Sequence, residues 1–418
     1  MKKDRKGLLK RAGAIAITAV MIGSLIGCGN SGSSTSSTGS SSAGSTAAST
    51  SSGGTIKIGF VDVLSGSSAS MGVPNQQGVK LAVKEINEKG GINGKQVEMV
   101  YYDDEGDPAN SVTQSTKMVQ QDNVVAAITG SASGCCNANK QVFADAGIPC
   151  VVSVGTANDI VGDSSSDTFH TTFRTGANEG YMIEIAANRI IDKGYKKIGV
   201  IADTSAYGQL AVETIKKIFE QYNINIADIE THEPSATDLT SQVMAMQQAG
   251  CDFVYSYNLG ADAALTCKTI KKLNWNVDVI GARGLNMDTF LSLAGDSAEG
   301  VLIPTDINIE TKKMQDFKAM YDKEYGAIDN YMFPAMGYTA ATTIFKALEA
   351  SGGKGGEDLI SALESLSYES VLGQDGATIS FSKDKHEGVD TKRMTYLTVK
   401  DGKLTVFDAN TYEPNAKK

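Results

Sequence analysis

Residues 78–104 read GVKLAVKEINEKGGINGKQVEMVYYDD. Val79, Ala82, Val83 and Ile86 recur at i, i+3, i+4 and i+7, which makes one face of a helix apolar. Gly90-Gly91 ends that helix, because glycine readily takes the left-handed backbone found at helix C-termini. Asn93-Gly94 is a tight-turn dipeptide, and KQVEMVYYDD (95–104) follows as a strand. Just upstream, TIKIGFVDVL (55–64) is a second strand-like apolar run. Strand, helix, strand in that order predicts a βαβ unit, part of a parallel sheet with helices over its faces.

The same rhythm extends outward. Helix 110–121, strand VVAAITG (124–130), a helix near 137–146 and strand IPCVVSVG (148–155) come next. Near 175–195 a strand beat is missing, and a helix over 178–192 follows FRTGANEG. The alternation then resumes with strand KKIGVIAD (196–203), helix 208–222, a strand near 226–232 and helix 238–249. Strand CDFVYSYN (251–258), helix 261–273, strand VDVIGA (277–282) and helix 287–294 complete it. Two such runs predict two α/β lobes. From 310 the chain is mainly helical, and MTYLTVKDGKLTVF (394–407) reads as a hairpin around Asp401-Gly402. Periodicity does not assign these last pieces to either lobe.

Composition limits the function. The chain has 418 residues, 41% of them hydrophobic, ample for one or two packed cores. A formal net charge of −10 disfavours nucleic-acid binding, which needs a basic stripe to displace counterions. His170, His232 and His386 lie far apart. Cys28, Cys135, Cys136, Cys150, Cys251 and Cys267 form no C-x-x-C, so neither a metal centre nor a thioredoxin-type pair is expected. No G-x-x-x-x-G-K-[ST] loop occurs, and no cofactor is expected. Ser133 lacks a G-x-S-x-G elbow, and His170 and His386 read as surface residues, so the chain reads as a non-enzyme.

The N-terminus supplies an address. Lys2, Lys3, Arg5, Lys6, Lys10 and Arg11 precede an apolar stretch, 12–26, the pattern of a secretory signal. Its end, Leu25-Ile26-Gly27-Cys28, is similar to the lipobox of bacterial lipoproteins, which implies cleavage before Cys28 and lipidation of its thiol. Residues 29–54, GNSGSSTSSTGSSSAGSTAASTSSGG, cannot bury a core and read as a tether with an r.m.s. span of roughly 30 Å. The expected location is the outer face of the cytoplasmic membrane, on a Gram-positive-type cell surface.

In parallel α/β sheets, ligands sit beyond the carboxyl ends of strands, where loops run into helix N-termini. ITGSASGCC (128–136) occupies such a place, as do SVGT (153–156) and DTSAYG (203–208). Free N–H groups and the helix dipole make these positions receptive to carboxylate or phosphate. Tyr255, Tyr257, Trp275, Tyr331 and Phe333 serve equally well as cleft lining or as core.

Several stretches together carry a family resemblance: IKIGFVDVLSGSSASMG (56–72), residues 78–108 with their GGINGK turn and YDD strand, DAGIPCVVSVGTAND (145–159), FRT (173–175), YGQ (207–209) and AEG (298–300). They make the chain similar to the lipoprotein substrate-binding components of ABC importers, of the branched-chain amino-acid (Leu/Ile/Val-binding protein-like) type. The resemblance implies an α/β, type I periplasmic-binding fold, with two doubly wound parallel-sheet lobes joined by a three-crossover hinge. Lobe one would be 55–177 plus 306–387, and lobe two 178–305 plus 388–418. It further implies that Ser133, beside Ala132, holds a solute carboxylate together with Val154 and Thr156. Tyr207 and Leu259 would approach from the second lobe, and Met71 would replace an aromatic wall residue. The implied partners are a small-molecule ligand, an ABC permease and separate ATPase subunits, with the binding protein itself a monomer.

Three features depart from that pattern or leave it open. Ala132 and Gly106 stand where the family sometimes has a disulfide, so that bridge is absent. Cys135 and Cys136 are expected to be small packing residues, with a vicinal disulfide or reactive thiol as the alternative. Arg283, in VIGARGLN, stands near the point where the family has a carboxylate for the ligand's ammonium, and a guanidinium offers only donors. In one arrangement Arg283 points away and pairs with Glu179, Asp203 or Asp262, leaving Glu179 or Asp262 for the ammonium of a branched-chain or other amino acid. In the other it enters the cleft, and the ligand is a dicarboxylate, keto acid, aromatic acid or amide. The first is the expectation. A ligand-sensor subunit would use the same cleft.

Overall fold

The structure is a computed structural model that describes residues 54–66, 68–130 and 132–407. The signal-like segment, Cys28 and the tether through 53 lie outside the described residues. β1 (Thr55–Asp62) is buried along most of its length, as a central strand covered on both faces must be. α1 (Ala69–Glu88) follows, then β2 (Gln96–Asp103), paired parallel to β1. Between them Gly90 and Gly91 take φ of 101° and 76°, and Asn93 and Gly94 close the turn at 50° and 79°. The unit read from 78–104 is therefore present, although α1 begins well before its apolar stripe and contains Pro74.

α2 (Pro108–Gln121), β3 (Ala126–Thr129), α3 (Ser133–Asp145), β4 (Cys150–Val152) and β5 (Thr172–Arg174) complete a five-stranded sheet, ordered β2-β1-β3-β4-β5. All its pairings are parallel. β5 is the beat the sequence rhythm lacks, because three residues are too few for a period to show. The second half runs α4 (Glu179–Lys193), β6 (Ile198–Asp203), α5 (Ala206–Gln221), β7 (Ile226–His232), α6 (Thr240–Gln248), β8 (Phe253–Tyr257), α7 (Gly260–Lys272), β9 (Asp278–Gly281), α8 (Asp288–Ala294) and β10 (Leu302–Thr305).

The chain then returns to the first sheet with α9 (Lys312–Tyr325), α10 (Met332–Ala350) and α11 (Gly356–Glu364), followed by a small ribbon of β11 (Ser367–Glu369) and β12 (Thr378–Ser380). Ala340, Ala341 and Ile344 of α10 share one core with Ile58, Phe60 and Val79. β13 (Thr395–Lys400) and β14 (Lys403–Val406) form the expected hairpin, with Asp401 and Gly402 at positive φ. It joins the second sheet, ordered β14-β13-β10-β9-β8-β6-β7, where Leu397 and Val399 pack with Ile303.

The chain passes between the two sheets three times, and the passages are bonded to one another. The Ala177 amide donates to Asp306 Oδ2 (2.6 Å), and the Gly388 amide to the Arg174 carbonyl (2.7 Å). His386 lies in the third passage and is a correction to its sequence reading as a surface residue. It is 1% exposed, with its ring stacked between Phe169 and Phe173 at 4.1 and 3.9 Å and Nδ1–H donating to the Phe169 carbonyl. The polar KDKHEG sequence hides this, because the burial comes from aromatic residues more than two hundred positions away. His170 is exposed and faces Glu357. No helix among the described residues is long and apolar enough to cross a membrane.

Candidate functional site

The carboxyl ends of both sheets face a shared cavity of about 280 Å³. The first lobe contributes Met71, Ala132, Ser133, Val154 and Thr156, and the second contributes Tyr207, Leu259, Arg283 and Met287. Met332 and Phe333, at the start of α10, complete the walls. Of the residues singled out in the sequence for ligand contact, Ser133, Ala132, Val154, Thr156, Met71, Tyr207, Leu259 and Arg283 lie on this cavity, and Glu179 and Asp262 do not.

The cradle is built from the ends of β3 and β4. After β3, Gly130 runs so close to Asp62 that a Cβ there would sit 1.9 Å from the carboxyl carbon. Asn75 donates to Asp62 Oδ2 (2.7 Å) and to Ser153 Oγ (2.9 Å), which fixes the two strand ends against each other. α3 then starts at Ser133 from an extended Ala132, with no side-chain cap. Ser133 Oγ accepts long bonds from the amides of Thr156 (3.3 Å) and Ala157 (3.4 Å).

Arg174 holds this loop from behind. Its Nη1 donates to the carbonyls of Gly155 (3.0 Å) and Ala157 (2.9 Å), while Nε donates to Glu387 Oε2 (3.0 Å). The guanidinium is fully buried and joins the cradle to the hinge. The sequence marks it only as part of FRT, since none of its partners is near in the chain. Met287 and Met332 were likewise missed, because each sits at the edge of a helix pattern that reads as core.

Helix ends dominate the polar character of the cavity. α2, α4, α5 and α9 have their first amides capped by Asp107, Asn178, Ser205 and Thr311. α1, α3 and α7, which start at the cavity, have no side-chain cap. Without a side-chain cap, the positive dipole ends of these helices favour an anion there. Thr156 Oγ1 and Arg283 Nη1, both buried, also lack hydrogen-bond partners among the described residues.

Arg283 pairs differently from the sequence expectation. It lines the cavity, donates through Nη2 to the Val154 carbonyl of the other lobe, and lies 3.5 Å from Asp306 Oδ1. None of Glu179, Asp203 and Asp262 is its partner. The acid that meets it comes from the second hinge passage, which the local sequence around Arg283 does not reveal. Asp203 accepts from the Ser205 amide, and Asp262 from the Ser235 amide. Glu179 is fully buried behind Tyr257 and outside the cavity lining, and burial pushes its carboxyl up to about 8. Neither Glu179 nor Asp262 is therefore placed to meet an ammonium in the cavity.

Tyr207 packs its ring 4.8 Å from that of Tyr257. Tyr255 and Tyr257 are core of the second lobe, Trp275 packs against that lobe's other core cluster, and Tyr331 is buried between α9 and α10. Cys135 and Cys136 are free, buried thiols whose ionisation burial opposes, so a vicinal disulfide is not present. No group of side chains among the described residues is arranged to hold a metal ion.

Residues 55–403 match the periplasmic binding protein family. The chain belongs to that family. This periplasmic binding protein is 27% identical, over 325 residues, to the leucine-, isoleucine-, valine-, threonine- and alanine-binding protein of Pseudomonas aeruginosa, spanning 77% of this chain and 85% of that one. Its fold is similar to that of the branched-chain amino acid transporter substrate binding protein LivJ of Streptococcus pneumoniae, solved with isoleucine: TM-score 0.73, 25% identity, 84% of this chain and 99% of that one. A solute binding protein of an ABC transporter from Rhodopseudomonas palustris, in complex with 3,4-dihydroxy benzoic acid, shares the fold at TM-score 0.73 and 22% identity, over 84% and 96% of the two chains. The periplasmic binding protein is thus a two-lobed, type I solute-binding protein of an extracytoplasmic family, and the relatives it matches are binding proteins rather than enzymes.

Proposed function

We propose that this protein is the solute-capturing component of an ABC importer, closing its lobes on a small carboxylate-bearing solute and presenting it to a membrane permease served by separate ATPase subunits. The observation that carries this reading is the convergence, on one interlobe cavity, of the uncapped N-termini of α1, α3 and α7 with the unpartnered Thr156 hydroxyl and the Arg283 guanidinium. Ser133 and the amides of Thr156 and Ala157 receive the carboxylate, while Met71, Leu259, Met287, Met332 and Phe333 surround an apolar body. At about 280 Å³ the cavity is at the low end of the ~300–1,000 Å³ typical of ligand sites, which limits the solute to a small molecule. The names of the Pseudomonas and Streptococcus relatives support an amino acid or a close analogue as that molecule.

In this reading Cys28 carries the lipid and 29–54 is the tether, so capture takes place at the outer face of the cytoplasmic membrane. Calorimetry with the purified protein tests the central step. Small apolar carboxylates are expected to bind, and their methyl esters to lose at least tenfold in affinity. Equal binding of acids and esters would remove the carboxylate from the site.

A further inference from the structure

We infer that the solute is an apolar carboxylate without the α-ammonium of an amino acid, such as a branched-chain 2-oxo acid or a benzoate-type acid, and that Arg283 sets this preference. The inference rests on the carboxylate-capture reading above. An ammonium needs acceptors, preferably anionic ones, and the cradle has spent its carbonyls. The Val154 carbonyl accepts from Arg283, those of Gly155 and Ala157 accept from Arg174, and that of Thr156 accepts from the Glu179 amide at 2.8 Å. Four consecutive carbonyls thus each already accept a hydrogen bond, so an ammonium could use them only by sharing their oxygens.

Charge points the same way. Among the described side chains, no Asp or Glu lines the cavity, and Arg283 is the charged residue that does. It is 3% exposed, so water screens it little. An ammonium placed beside it would meet a like charge in a poorly screened site. Asp306 offsets part of that charge from 3.5 Å, but it is fully buried and outside the lining. Arg283 Nη1 faces Asp306 Oδ1 at 3.5 Å and makes no hydrogen bond among the described residues, so the guanidinium keeps donor capacity beside the cavity. Met71, Leu259, Met287, Met332 and Phe333 make much of the remaining wall apolar, and the hydroxyl residues Ser68, Ser205 and Tyr207 bring no negative charge to it.

Isothermal titration of the full chain with 4-methyl-2-oxopentanoate, benzoate, leucine and phenylalanine tests this. At least one of the two ammonium-free acids is expected to bind 100-fold or more tighter than either amino acid, and the comparison between the two acids tells a 2-oxo head from an aromatic one. Arg283→Gln, which removes the charge and leaves a shorter neutral amide, should narrow that ratio at least tenfold, and Arg283→Glu should reverse it. Leucine or phenylalanine binding as tightly as both acids would overturn the inference while leaving carboxylate capture intact. An unchanged ratio in Arg283→Gln would overturn the role of Arg283. Binding of none of the four compounds would instead defeat the carboxylate reading itself, and the inference with it.

Discussion

Ser133 Oγ and the Thr156 amide are 3.3 Å apart, a long bond that an arriving carboxylate can replace with shorter, charge-assisted ones. Ser133→Ala is therefore expected to weaken capture by ~1–3 kcal/mol, with little change in the unfolding of the ligand-free protein. Calorimetry and thermal melts check the two halves, and unchanged affinity would remove Ser133 from the cradle. Glu179 makes a prediction in pH. Its carboxyl is raised from 4.5 to about 8 by burial, so between those values the native state holds a proton that the unfolded chain has released. Stability should fall as pH rises through that window, by at most about 5 kcal/mol from this group. Glu179→Gln should gain on the wild type from pH 5 to pH 9 in urea titrations, and parallel curves would contradict the assignment. At this scale the sequence was legible where side chains follow a strand end, as at Ser133, Val154 and Thr156. It was not legible where a charge finds a remote partner, as for Arg283 with Asp306 and Arg174 with Glu387.

Among the elements, α1, α3 and α7 start at the cavity without side-chain caps, while α2 and α5, which also start there, are capped by Asp107 and Ser205. α1 also meets α10 in backbone contact. A Cβ at Gly337 would stand 2.1 Å from the Asn75 carbonyl oxygen, and one at Gly78 would stand 1.9 Å from that of Pro334. Gly337→Ala should therefore force the helices apart and cost about 1–3 kcal/mol in chemical denaturation. It should also weaken capture, since Asn75 ties Asp62 to Ser153 beneath the cradle. A fully stable variant would show that α10 can slide. Alternating strands and helices were readable because each is long enough to repeat its period, whereas β5 and the β11–β12 ribbon have three residues per strand and show none.

Across the whole molecule, three chain passages couple the lobes, and Arg174 connects them to the cradle. Arg174→Met would leave Glu387 as an unpaired, largely buried charge and should destabilise the protein by about 3–5 kcal/mol, as read by urea denaturation. Arg174→Lys keeps the charge but cannot hold both loop carbonyls and Glu387, so its larger loss should be in solute affinity. Two lobes were evident from the two runs of alternation, and the place of the C-terminal hairpin came only from resemblance, since a hairpin's own sequence does not say which sheet edge it joins. In the proposed mode of capture, a small acid is enclosed between the lobes at the ends of β3 and β4. A crystal structure with a tightly bound solute tests this most directly. It should show a carboxylate oxygen within hydrogen-bond distance of the Thr156 amide and Ser133 Oγ, beneath Tyr207. Solute seated instead in the larger cavity of about 890 Å³ beside Asn286, Ser292 and Lys403, with the cradle amides untouched, would contradict it.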